Sequence, residues 1–150
     1  MHAAQKLIAS ALLCFAGVPV LAQPAAQALR EVSQEQQDWV NRSCPRSLGP
    51  SLWSSCVTRE VRALREGIPD LSKLDESSIN WVNQSCPVSL GPALTRSCLL
   101  REQNAINAGI PPVEHLSKEN LDWLKQSCPQ SLGPHLYRAC ATRELRAIGQ

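Results

Sequence analysis

The chain has 150 residues, with 15 Lys and Arg against 13 Asp and Glu and a formal net charge of +2 at pH 7. A nearly neutral chain of mixed sign gives no electrostatic reason to expect a nucleic acid or an anionic membrane as its partner. No segment carries the roughly 20 consecutive apolar residues that a transmembrane helix needs.

Residues 1–22 have the features of a secretory signal peptide. Lys6 supplies a positive charge, residues 7–18 form a short apolar core, and small side chains precede a cleavage site after Ala22. We therefore expect a periplasmic or secreted protein. One alternative is that this segment is a buried N-terminal helix. Another is a lipoprotein anchored through Cys14, which is disfavoured because Leu13 stands where a lipobox has a small residue.

Three copies of one motif follow, each beginning 42 residues after the last, at Trp39, Trp81 and Trp123. Each copy continues with Ser-Cys-Pro-x-Ser-Leu-Gly-Pro-x-Leu, a second Cys and then Arg-Glu. A fixed period of this length indicates one supersecondary unit used repeatedly. Residues 23–31 carry no pattern that joins them to the repeats and are assigned as a linker. The predicted repeats span residues 32–70, 71–112 and 113–150.

The first half of each repeat is predicted to be a short helix. Ser33 with Gln36 three residues later forms a capping box. In the second copy, Leu74 and Ile79 flank the N-cap Asp75 as a hydrophobic staple. The Cys-Pro step then ends the helix, because the residue before a proline is pushed out of the α region.

The second half is predicted to be a longer helix that begins at the Gly-Pro pair, since proline is favoured in a first turn. In the first copy, Leu52, Cys56, Ala63 and Leu64 are assigned to its inward face. Gly67, followed by Ile and Pro, is typical of a helix end.

Six cysteines lie in the repeats, two in each and twelve residues apart, and an exported chain favours disulfides over metal binding. Local bonds are the simplest pairing, with bonds between repeats or free thiols as the alternatives. Closing such a loop stabilises a fold by about 3 kcal/mol. No Cys-x-x-Cys pair or haem motif occurs, so neither a metal nor another cofactor is expected. The predicted pairs are Cys44–Cys56, Cys86–Cys98 and Cys128–Cys140.

The predicted fold class is all-α: three tandem disulfide-clipped helical hairpins. A single hairpin has too little core to be stable alone, which favours stacking as a short solenoid over separate beads. Trp39, Trp81 and Trp123 are expected to fill a gap between the two helices of each hairpin. The alternative is an exposed aromatic platform for a ligand.

Two sets of positions are candidate binding residues. The repeated arginines, Arg59, Arg101 and Arg143, either cap helix carbonyls and pair with Asp38 or Asp122, or bind anions. Positions that vary within the fixed frame are expected to contact a partner. They are Trp53, Thr95 and Tyr137, together with Arg62, Asn104 and Arg146.

No Ser-His-Asp or Cys-His set can be built from this sequence, and repeats usually form extended binding surfaces. The leading hypothesis is therefore a non-catalytic binding or adaptor protein that presents a repeated surface to another protein or an envelope polymer. An exported enzyme inhibitor or immunity protein is the alternative. A small hydrolase that uses Glu60, Glu102 and Glu144 is a third possibility.

Overall fold

A computed structural model describes residues 23–149, and their secondary structure is helical, with turns between the helices. The predicted signal peptide and the lipoprotein alternative at Cys14 lie outside the described residues. Seven α-helices are present in this part of the chain: α1 (Gln23–Arg30), α2 (Gln34–Ser43), α3 (Pro50–Glu66), α4 (Glu76–Ser85), α5 (Pro92–Asn107), α6 (Lys118–Ser127) and α7 (Gly133–Ala147).

The helices α2 to α7 form three hairpins, each with a shorter helix followed by a longer one. A single 3₁₀ turn joins the two helices of each hairpin. The all-α fold of disulfide-clipped hairpins that the sequence predicted is therefore the fold of the described chain. The 3₁₀ turns are Arg46–Leu48, Val88–Leu90 and Gln130–Leu132.

The short helices begin at the residues that the sequence indicated. Ser33 and Gln36 form the expected capping box at α2, and Ser117 caps α6. At α4 the side chain of Asp75 accepts a hydrogen bond from the Ser78 backbone. Hydrogen bonds from Ser77 and Ser78 hold the pKa of the Asp75 carboxyl well below its ordinary value, because they favour its charged form.

Glycine and proline set the limits of the long helices. Pro50 and Pro92 are the first residues of α3 and α5, where a missing N–H leaves no hydrogen bond unmade. Gly67 follows α3 at φ +83°, a left-handed conformation that side-chain-bearing residues rarely adopt. These observations confirm the helix starts and stops predicted for the second half of the repeat.

Each hairpin has its own small core, clipped by a disulfide. Val40, Val82 and Leu124 are fully buried at the same position of the three short helices. The pairs Cys44–Cys56, Cys86–Cys98 and Cys128–Cys140 are bonded within their own hairpins, with Cα–Cα distances of 5.6–5.7 Å. The expected local connectivity is confirmed. Three intramolecular disulfides fit an oxidising compartment.

Residues 23–30 are a helix, and not the patternless linker that the sequence analysis assigned. Ala25 and Leu29 are buried against α3, in the core that also contains Val57 and Val61. In the 42-residue register, residues 25–32 correspond to residues 67–74 and 109–116, and Leu71, the counterpart of Leu29, packs against the core of the second hairpin. The later linkers contain Gly-Ile-Pro and leave the helical conformation, whereas Ala-rich residues 23–30 stay helical.

None of the helices within residues 23–149 combines the length and the apolar character that a membrane crossing requires.

Candidate functional site

A buried carboxylate joins each hairpin to the next. Glu60 on α3 is 1% exposed, and its Oε2 accepts a 2.7 Å hydrogen bond from the backbone N–H of Ala93 in the first turn of α5. Glu102 on α5 accepts the equivalent bond from His135 at the start of α7, at 2.6 Å. The first N–H groups of a helix have no partner within the helix, and its N-terminus favours negative charge. Each glutamate therefore caps the next hairpin's long helix.

The repeated arginine neutralises that buried carboxylate. Arg59 donates from Nε and Nη2 to Oε1 of Glu60, at 2.9 and 2.7 Å. Arg101 and Glu102 repeat the arrangement at 3.0 and 2.9 Å. Pairing with Asp38 or Asp122, considered from the sequence, is replaced by pairing with the adjacent glutamate. The arginine side chains remain exposed at the surface.

The repeated tryptophan is the second contact between hairpins. The indole Nε1 of Trp39 donates to the carbonyl of Val88, and that of Trp81 donates to the carbonyl of Gln130, both at 2.8 Å. The acceptors lie 49 residues further along the chain, in the 3₁₀ turn of the following hairpin. The tryptophans therefore connect neighbouring hairpins, and the expectation that they fill a gap within one hairpin does not hold.

A glycine makes the close approach at each junction possible. Gly91 has φ +83°, and a Cβ built on it would lie 2.5 Å from Oγ of Ser43. Gly133 has φ +80°, and its Cβ would lie 2.6 Å from Oγ of Ser85. Each serine also donates to the carbonyl of its own hairpin's tryptophan, Trp39 or Trp81. Glutamate, tryptophan, serine and glycine thus form one junction, which occurs twice.

Three of the nine candidate binding residues are not available to a partner. Trp53, Thr95 and Tyr137 occupy one position of the long helix and are buried. Tyr137 packs edge-on against Trp81 with ring centroids 5.5 Å apart, and burial raises the pKa of its hydroxyl. The different side chains at this position therefore change the internal packing of each hairpin and not its surface. Arg62, Asn104 and Arg146, the other varying set, are exposed.

Two leucines per hairpin point outward, although the sequence analysis assigned the second of them to the inward face. They are the leucines of Ser-Leu-Gly-Pro-x-Leu, and their exposed fractions range from 39% to 63%. We call these six residues the leucine row: Leu48, Leu52, Leu90, Leu94, Leu132 and Leu136.

The leucine row belongs to none of the hairpin cores of the described chain. The cysteines, in contrast, are bonded in all three hairpins, and the glycines, glutamates and tryptophans make junction contacts at both internal junctions. Single exposed leucines are ordinary, but a repeated exposed apolar set is typical of an interaction surface. Leu52 and Arg59 are seven residues apart on α3, so they share one face, two turns apart. The same spacing places Leu94 and Arg101 on one face of α5.

Two side-chain clusters could suggest metal chemistry, but their atoms are engaged. Cys44, Cys56 and Glu60 lie close together, and the second hairpin has the same set. The sulfur atoms are bonded to each other, so no thiolate is available to a metal. Both oxygens of Glu60 accept hydrogen bonds. The repeated glutamate that the hydrolase hypothesis needs is buried in the first two hairpins, and both of its oxygens accept hydrogen bonds there.

No protein-family model, curated protein or solved structure matches this chain.

Two features of the site escaped sequence reasoning. The outward direction of the leucine row was missed because leucine at helical spacing usually indicates a core. The role of the N-terminal segment was missed, although the 42-residue register reaches it: Leu29 aligns with Leu71, and Val32 with Leu74.

Proposed function

We propose that the chain is an exported, non-catalytic binding or adaptor protein that presents the leucine row to another protein. The observation that carries this proposal is the recurrence of two exposed leucines at the same position of all three hairpins. Fully burying an exposed leucine side chain contributes about 1.5–3 kcal/mol, so covering the 39–63% that remains exposed on each of these leucines contributes roughly half as much.

The chemistry of the partner follows from the residues beside the leucines. Arg59, Arg101 and Arg143 share the helix faces of the row, and their side chains are 52% to 74% exposed. A partner surface that combines apolar side chains with carboxylates would match this face. The predicted signal peptide and the disulfides support a partner in the periplasm or outside the cell.

Affinity capture tests the proposal. The oxidised chain is the bait for envelope and secreted extracts, and a reduced, alkylated copy is the control for the fold. The bait should retain a partner protein that the reduced copy does not retain. A variant with Leu52→Ser, Leu94→Ser and Leu136→Ser should lose this partner while keeping its stability, because the three side chains are exposed.

Val88→Ser is the matched control. Val88 is the most exposed large apolar residue within residues 23–149, yet it stands at a position where the other copies have Arg46 and Gln130. This variant should bind as the unaltered chain does. If the three leucine substitutions leave capture unchanged, the proposal is wrong.

Each single leucine substitution should weaken binding by part of the loss that the triple variant shows. A loss confined to one hairpin and a tight 1:1 complex would favour the inhibitor alternative.

A further inference from the structure

The two internal junctions define a complementary pair of surfaces. One surface carries a tryptophan, a serine and a glutamate. The other carries the 3₁₀ carbonyl, the glycine and the first-turn N–H that these side chains contact. Among residues 23–149, the third hairpin presents the first surface without a partner, and the first hairpin presents the second surface without a partner.

The third hairpin's end has the residues of a junction but not its contacts. Trp123 is 40% exposed, whereas Trp39 and Trp81 are partly buried. Glu144 is 15% exposed, against 1% for Glu102, and is held only by Arg143 through Oε1. In the described part of the chain, no N–H donates to its Oε2. We call this surface, formed by Trp123, Ser127 and Glu144, the tail surface.

The first hairpin's edge lacks the contacts that the corresponding residues of the later hairpins make. A Cβ built on Gly49 would meet no atom within 4 Å, although the same position in the later hairpins touches a serine. Pro50 is exposed, whereas Pro92 and Pro134 are fully buried. The N–H of Ser51, which aligns with those of Ala93 and His135, has no acceptor within residues 23–149. We call this edge, formed by Arg46, Gly49, Pro50 and Ser51, the head surface.

A cavity and an unpaired donor lie at the head surface. The cavity has a volume of about 150 Å³ and is lined by Arg46, Gly49, Pro50 and Trp53. The indole Nε1 of Trp53 is buried and has no hydrogen-bond partner among the described residues. The cavity leaves the head surface incompletely packed in a single copy.

Helix α1 does not block this edge. Leu29 of α1 lies in the core of the first hairpin. Its counterpart Leu71, in the linker before α4, packs against the core of the second hairpin. The linkers before α4 and α6 do not prevent the two internal junctions from forming. A preceding hairpin could therefore contact the head surface while α1 stays in place.

We propose that a second copy of this chain docks its head surface on the tail surface, so that Trp123, Ser127 and Glu144 of one copy contact Arg46, Gly49 and Ser51 of the next. The contact repeats the internal junction between molecules. It is heterologous, because two different surfaces meet, and it continues into open chains of copies rather than closing as a symmetric dimer. It is independent of the leucine row and of the function proposed above.

Sedimentation of the oxidised protein, from micromolar to near-millimolar concentration, tests the inference. The average mass should rise with concentration. Trp123→Ala and Ser51→Asp should each remain monomeric. An aspartate in the first turn suits the helix and should leave the fold intact, but it places a second carboxylate opposite Glu144. Lys118→Ala, an exposed change outside both surfaces, is the control and should associate normally.

Mixing the two blocked variants distinguishes head-to-tail docking from any symmetric contact. Trp123→Ala keeps a working head surface, and Ser51→Asp keeps a working tail surface. An equimolar mixture should therefore form a 1:1 dimer and nothing larger. A protein that stays monomeric throughout the range would overturn the proposal. So would association that survives either variant, or a mixture in which no dimer forms.

Discussion

At the scale of single residues, the junction depends on a carboxylate that caps a helix in another hairpin. Glu60 and Glu102 each accept from their adjacent arginine through one oxygen and from a helix N-terminus through the other. A buried charge is tolerated only when it is paired and hydrogen-bonded. The Arg-Glu pair of the motif is thereby explained as a structural element.

Removing this carboxylate should destabilise the fold. Glu102→Ala leaves the partly buried N–H of His135 without its acceptor and Arg101 without its partner, and we expect the free energy of unfolding to fall by about 2 kcal/mol. Urea unfolding measures this change. Glu144→Ala is the matched control, because this glutamate caps nothing within residues 23–149, and its effect should be much smaller. Equal losses in the two variants would contradict the capping role.

The junction glycines provide a second test at this scale. Gly133→Ala forces both a strained φ of +80° and a Cβ contact with Ser85. Gly49→Ala has the same strain, at φ +81°, without a neighbouring atom. Strain of this kind costs about 1–2 kcal/mol. Gly133→Ala should therefore lower the melting temperature by clearly more than Gly49→Ala. Equal shifts would show that the close approach to Ser85 is unimportant.

At the scale of elements, the hairpin is the unit that the sequence specifies. Its helix starts and stops depend on local chemistry: Ser33 and Asp75 as caps, Pro50 in a first turn and Gly67 at an end. The disulfides join residues twelve apart. All of these features could be predicted because cause and effect lie within a few residues of one another.

Each disulfide should contribute equally, because the three loops have the same length. A double variant with Cys86→Ser and Cys98→Ser should lose about 3 kcal/mol in the free energy of unfolding, by the chain-entropy model. The corresponding variant of Cys128 and Cys140 serves as the comparison and should lose a similar amount. Urea unfolding of both checks the expectation. A change too small to measure in either would show that the hairpin core alone holds the two helices together.

At the scale of the whole molecule, the long-range contacts could not be predicted from the sequence. Trp39 and its acceptor are 49 residues apart, and Glu60 and Ala93 are 33 apart. Nothing local to Trp39 distinguishes a core side chain from one that reaches the next hairpin. The leucine row was misassigned for a related reason, since apolar spacing on a helix does not reveal which face another hairpin covers.

Amide hydrogen exchange can show whether the hairpins stack through their glutamate caps. Ser51, Ala93 and His135 hold the same position in the three long helices, yet only the last two donate to a glutamate. At low protein concentration, the Ala93 and His135 amides should exchange far more slowly than that of Ser51, after correction for intrinsic rates. Equally fast exchange at all three would contradict the claim and indicate separate hairpins on a flexible chain.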